Sequence, residues 1–165
     1  MKKKDAVILF MVVLIDQISK FVAFNLQRDN IKVIEDFFYI TKVKNTGAAW
    51  GSFSGQMWLF YIISVIAIYF LYKIYRESSQ RSAYFSFAIL LMLGGTLGNL
   101  IDRVFFNYVR DFLNFYIFTY DYPVFNVADI ALVIGVFLVL IYIIKNPNEE
   151  LIWENLFIKM KRAKG

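Results

Sequence analysis

Ala83-Tyr84-Phe85-Ser86-Phe87-Ala88-Ile89-Leu90-Leu91-Met92-Leu93-Gly94-Gly95-Thr96-Leu97-Gly98-Asn99-Leu100-Ile101-Asp102-Arg103-Val104-Phe105 is an apolar run whose far end turns polar. It is long enough to cross a bilayer core, which takes roughly 20 helical residues. Gly94 and Gly98 stand four apart, a small-xxx-small spacing that lets helix backbones approach closely. Gly94, Gly95 and Gly98 lie inside an apolar helical run, which favours packing over a phosphate loop. Asn99 and Asp102 then share one face near the end of the run, with Arg103 beside them to pair locally or reach toward head groups.

Three more runs read the same way, about residues 6–24, 57–75 and 127–144, giving four spans in a single integral-membrane domain with a tail over 145–165. The chain has 165 residues, 59% of them hydrophobic, and a mean hydropathy of +0.55. That is too apolar for an ordinary soluble domain. The net charge of +5 does not suggest nucleic acid, because the basic residues flank apolar runs and form no block. The first run follows Lys2, Lys3 and Lys4 but has no small-x-small cleavage site, and reads as a retained span.

Lys and Arg set the orientation, since cytoplasmic loops carry the excess. Placing both ends and the short 76–82 turn inside collects Lys2, Lys3, Lys4, Lys73, Arg76, Arg81, Lys145, Lys159, Lys161, Arg162 and Lys164. The other side collects only Arg28, Lys32, Lys42, Lys44, Arg103 and Arg110. Both termini are therefore expected in the cytoplasm. Between the first two spans, Ile31 to Ile34 and Phe37 to Val43 are rich in β-branched and aromatic residues and read as short strands of an outer β-layer. Leu151 to Lys164 reads as an interfacial amphipathic helix or a solvated tail.

The acids gather at one depth. Asp16 and Lys20, four apart in the first span, also read as a self-neutralising buried pair. Asn126 and Asp129 open the fourth span with cap spacing, so Asp129 also reads as a partner of the helix dipole. Together with Asp111, Asn99 and Asp102 they describe a polar pocket toward the outer face. No His and no Cys occur, which removes a Ser-His pair, a thiol nucleophile and the common zinc sites. Ser19 and Lys20 are neighbours and point apart on a helix. Two carboxylates remain: in close contact they hold one proton, so one activates water while the other polarises a scissile carbonyl.

Five pieces resemble, in order, the motif set of the bacterial lipoprotein signal peptidases, also called signal peptidase II. They are Asp16-Gln17-Ile18-Ser19-Lys20, the 45–51 piece from Asn45 to Gly51, the 95–103 piece from Gly95 to Arg103, Val109-Arg110-Asp111-Phe112, and Phe125-Asn126-Val127-Ala128-Asp129. The resemblance implies an aspartic endopeptidase of the bacterial inner membrane that cuts a prolipoprotein just before a diacylglyceryl-modified cysteine. Asp111 and Asp129 would be the catalytic pair. Asn45, Gly47, Asn99, Arg103 and Asn126 would line or brace the substrate site, and Asp16, Lys20 and Asp102 would support it. The implied fold is an all-α membrane protein of four transmembrane helices, with an extracytoplasmic β-cradle and a short helix before the fourth span. No metal or cofactor is expected, and the chain would act as a monomer among membrane lipids. Arg110 departs from the family, where many members carry an apolar residue, and is expected to point to the aqueous side. Two other readings stay open: an ion or proton carrier relaying through Asp16, Lys20, Asp102 and Asp129, and a structural subunit whose acids pair with basic residues.

Overall fold

Inside hydrocarbon every backbone polar group must be satisfied within the segment, so the four apolar runs become helices. The computed structural model describes residues 1–47, 56–78, 82–118 and 120–147. They comprise α1 (Lys3–Phe24), β1 (Asn30–Ile34), β2 (Phe38–Asn45), α2 (Met57–Ser78), α3 (Ala83–Phe106), β3 (Val109–Ile117), β4 (Tyr120–Asp121) and α4 (Val127–Lys145). All four helices are long and apolar enough to cross a membrane, and the chain is a multi-pass membrane protein. α1 and α2 run a turn past their apolar cores, because polar residues continue a helix into the head-group layer. There the Tyr75 hydroxyl donates to the buried Asp5 carboxylate at 2.7 Å, tying α1 to α2.

α3 is the central helix. Its apolar window is 56% buried, against 17% for each of the others, whose large side chains face outward as a lipid-covered surface needs. The glycines explain how α1 and α4 approach it so closely. A β-carbon on Gly94 would meet Val12 of α1, one on Gly95 would meet the Ala128 carbonyl of α4, and one on Gly98 would meet the Asp16 carboxylate. At the other end of the interface Gly135 of α4 lies against Ala88 and Met92 of α3.

The strands form one antiparallel layer in the order β1-β2-β3-β4. β1 and β2 match the two expected strands to within a few residues. Two features differ from the sequence reading. Residues 109–117, for which the sequence reading has no strand, form the longest strand among the described residues. The short helix expected before the fourth span has no counterpart among the described residues. Phe125 instead exchanges backbone hydrogen bonds with Leu113, and Tyr122 N–H donates to Phe115, which holds this segment extended against β3. The Leu151 to Lys164 segment, expected as an interfacial helix or a solvated tail, the Ala48 to Gly51 part of the second motif and residues 79–81 of the turn lie outside the described residues.

Candidate active site

β3 leaves α3 through Asn107, whose left-handed backbone (φ 59°) ends the helix. Asn tolerates that region better than most residues. The strand then carries Asp111 back over the ends of the helices. β2 pairs beside it, with Ile40 opposite Leu113 but Val43 opposite Asp111 and Asn45 opposite Val109, so β2 holds one extra residue between them. Residues directly opposite share a face. Without that bulge Lys42 and Lys44 would stand opposite Asp111 and Val109; with it, Val43 and Asn45 do. The bulge thus exchanges two lysines for a neutral amide on the Asp111 face.

Asn45 is held by its own turn. Its side-chain oxygen accepts the Gly47 N–H at 2.9 Å, which aims its amide nitrogen at Asp111 Oδ2, 2.8 Å away. Asn126 caps α4 in a reciprocal box: its Oδ1 accepts the Asp129 N–H, and Asp129 Oδ2 accepts the Asn126 N–H, both at 3.1 Å. This cap fixes the amide the other way round, so Asn126 Nδ2 donates to Asp111 Oδ1 at 2.6 Å and to Asn99 Oδ1 at 3.1 Å. Asn99 Nδ2 in turn donates to Asp129 Oδ1 at 2.8 Å. Each of the four carboxylate oxygens therefore accepts one N–H, and Asn126 touches both acids.

Behind these groups lies a buried ion cluster. Lys20 sits 2.9 Å from Asp16, 3.6 Å from Asp102 and 2.9 Å from Asn99 Oδ1, with Asp16, Lys20 and Asp102 fully buried. Asp16 Oδ1 accepts the Ala128 N–H at the start of α4, a place where the helix dipole favours an anion. Desolvation makes such a cluster costly unless it is neutral and fully hydrogen-bonded. Arg110 makes it neutral. The expectation that this residue points to water is corrected: it is buried, with Nη2 2.8 Å from Asp102 Oδ1 and from Gln17 Oε1, Nε 3.2 Å from Asp102 Oδ2 and its guanidinium over Phe106. Asp102 left with Lys20 at 3.6 Å needs a second cation, and the strand supplies it. Gln17, given no role in the sequence reading, bridges Asp16, Asp102 and the Gly98 carbonyl. Its signals in the sequence are its place next to Asp16 and inside the Asp16-Gln17-Ile18-Ser19-Lys20 piece.

Arg103 flanks the cluster. Its carbonyl accepts from the Tyr61 hydroxyl at 2.6 Å, its guanidinium lies over the Phe60 ring, and its charge acts on Asp129 and Asp111. Asp111 is 2% exposed, and burial, followed by the charge of Asp129, pushes its carboxyl up to about 7, against the opposing effect of the Asn45 and Asn126 hydrogen bonds. A carboxyl that holds its proton near neutrality, beside a second acid, is the arrangement that general acid and base work requires. Beside Asp129 opens an apolar cavity of about 460 Å³, walled by Phe37, Phe115 and Phe125 of the sheet side and by Ile130 and Val133 of α4.

The carrier reading needs polar side chains through the membrane. Between Ser86 and Asn99 the buried residues of α3 are all apolar or glycine. The structural reading needs the acids to have separate partners, whereas both bond to Asn126. Among the described residues no group of His, Cys, Asp and Glu is arranged to hold a metal ion.

The family model described as signal peptidase (SPase) II matches residues 8–145. A lipoprotein signal peptidase from Anoxybacillus flavithermus is 44% identical over 135 residues, covering 81% of this chain and 80% of its own. A solved bacterial membrane enzyme structure, obtained by the in meso method at 2.3 Å resolution, is 38% identical, with a TM-score of 0.81 over 89% of this chain and 91% of its own. A second, at 1.9 Å, is 39% identical, with a TM-score of 0.78 over 87% of this chain and 94% of its own.

Proposed function

The chain belongs to the signal peptidase II family, and on that premise we propose that it removes the signal peptide of lipid-modified prolipoproteins with Asp111 and Asp129 as a catalytic pair. The observation that carries this reading is the double bridge made by Asn126, which bonds one oxygen of each acid and so keeps the two carboxyls on a common centre. Each oxygen keeps a free lone pair beyond its amide donor, and these are available to one shared proton and one water.

The ionised acid takes a proton from the water as it attacks the carbonyl of the bond before the diacylglyceryl-cysteine. The protonated acid polarises that carbonyl and then donates to the departing amine. The titration belongs to the pair. Asn45, Asn99 and Asn126 hold the carboxyls, Gly47 and Arg103 border the substrate path, and Asp16, Lys20 and Asp102 brace the helices underneath. The apolar cavity beside Asp129 receives an apolar part of the substrate from the bilayer. The basic residues Lys2, Lys3, Lys4, Lys73, Arg76 and Lys145 lie at the opposite ends of the helices, which supports cytoplasmic termini and an outward-facing site. The protein works as one domain and as a monomer.

The test is cleavage of a diacylglyceryl-modified precursor by Asp111→Asn and Asp129→Asn enzymes. Each substitution is expected to lower kcat by about 10²–10⁴-fold, the usual worth of a positioned acid or base. Normal processing by either folded variant would remove that residue from the pair.

A further inference from the structure

We infer that Arg110 is a positioning residue whose guanidinium, locked onto Asp102 and Gln17 behind β3, holds the Asp111 carboxyl in register with Asp129. The inference rests on the reading of Asp111 as catalytic. Neighbouring residues of a strand point to opposite faces. Arg110 therefore faces the ion cluster while Asp111 faces Asn45 and Asn126. Three donors of Arg110 converge on one carboxylate: its backbone N–H at 2.8 Å and Nε at 3.2 Å on Asp102 Oδ2, and Nη2 at 2.8 Å on Asp102 Oδ1. Nη2 also reaches Gln17 Oε1 at 2.8 Å. The start of β3, which pairs with β2 through Lys44 opposite Arg110, is thus also bolted to α3 and α1.

Any residue at position 110 could offer the backbone N–H. Only the planar fork of an arginine can make both side-chain bonds to Asp102, and a lysine keeps the charge without that geometry. The charge has a separate effect. Asp16 and Asp102 are balanced by Lys20 and Arg110, so removing the arginine charge leaves a surplus anion behind Asp111. The charged groups that act on Asp111 are Asp129 of α4, Lys20 of α1 and Arg103 of α3, and Asp102 lies behind it, bound to the adjacent Arg110. An added negative charge raises the proton affinity of a carboxyl.

Two variants separate position from charge, with purified full-length enzyme acting on a diacylglyceryl-modified precursor peptide. Arg110→Lys is expected to lower kcat about tenfold or more through misplacement of Asp111, with KM and the alkaline limb of the pH profile unchanged. Arg110→Gln is expected to lose kcat and also to move the alkaline limb upward. A folded Arg110→Lys enzyme with wild-type kcat overturns the inference, as does a loss confined to the amount of folded protein with specific activity intact. An Asp111→Asn control distinguishes the two failures: if it is inactive while Arg110→Lys is normal, only the role of Arg110 falls, and if it is active, the catalytic pair falls with it.

Discussion

At the scale of single residues, the proposed chemistry depends on where one proton sits. Asp111 carries its carboxyl at about 7 because it is buried and because Asp129 is near. Its folded value lies above the ordinary one, so the neutral form is the one the fold favours. Activity that needs Asp111 protonated falls as the pH rises through about 7, so kcat/KM should show an alkaline limb near pH 7. A rate flat from pH 6 to 9 would contradict this. The same sign governs stability: the contribution of Asp111 is present at low pH and is lost as the pH rises toward about 7. Lys20 obeys a different logic. Lys20→Met leaves Asp16 without its 2.9 Å partner and is expected to cost about 3–5 kcal/mol, the penalty for stranding a buried charge. Thermal unfolding in detergent checks it.

At the scale of elements, the spans were legible because length and apolarity alone decide them. The expected ends miss by no more than a turn, where polar residues continue a helix. Close approach at Gly94 and Gly98 was legible from spacing, but not that Gly98 makes room for the Asp16 carboxylate, since that needs the relative rotation of α1 and α3. Gly98→Ala is expected to destabilise by about 1–3 kcal/mol through overpacking, measurable as a lower thermal midpoint. β3 was not legible although Phe112, Phe115, Tyr116 and Ile117 favour a strand, because its first half is buried on both faces and shows no apolar-polar alternation. The bulge in β2 was not legible either: an extra residue appears only once two strands are paired. Arg110 was read as solvated because a sequence assigns a charge at an interface to water by default. Its true place follows from strand alternation, with Asp111 facing the amides and Arg110 the ions.

At the scale of the whole molecule, the buried ion cluster and its amide partners gather at one end of a largely apolar bundle, with the Tyr75–Asp5 bond at the other. The ion cluster, the amide ring and the sheet lie together, while the basic ends of the helices lie opposite. The chain has no cysteine, so single labels report orientation cleanly. Glu35→Cys should react with a membrane-impermeant maleimide in intact cells, and Lys2→Cys only after the membrane is opened. The cavity beside Asp129 predicts a substrate effect. Val133→Trp should raise KM for the lipidated precursor roughly tenfold, the loss of about two buried methylenes at ~0.8 kcal/mol each, and leave kcat nearly unchanged. Unaltered KM would assign the apolar part of the substrate elsewhere.

That two acids share a single proton is most directly tested by following the Asp111 carboxyl stretch by infrared difference titration, in the wild-type protein and in Asp129→Asn. The midpoint should lie near 7 in the first and clearly lower in the second, where the neighbouring charge is gone. The same midpoint in both proteins would contradict the account.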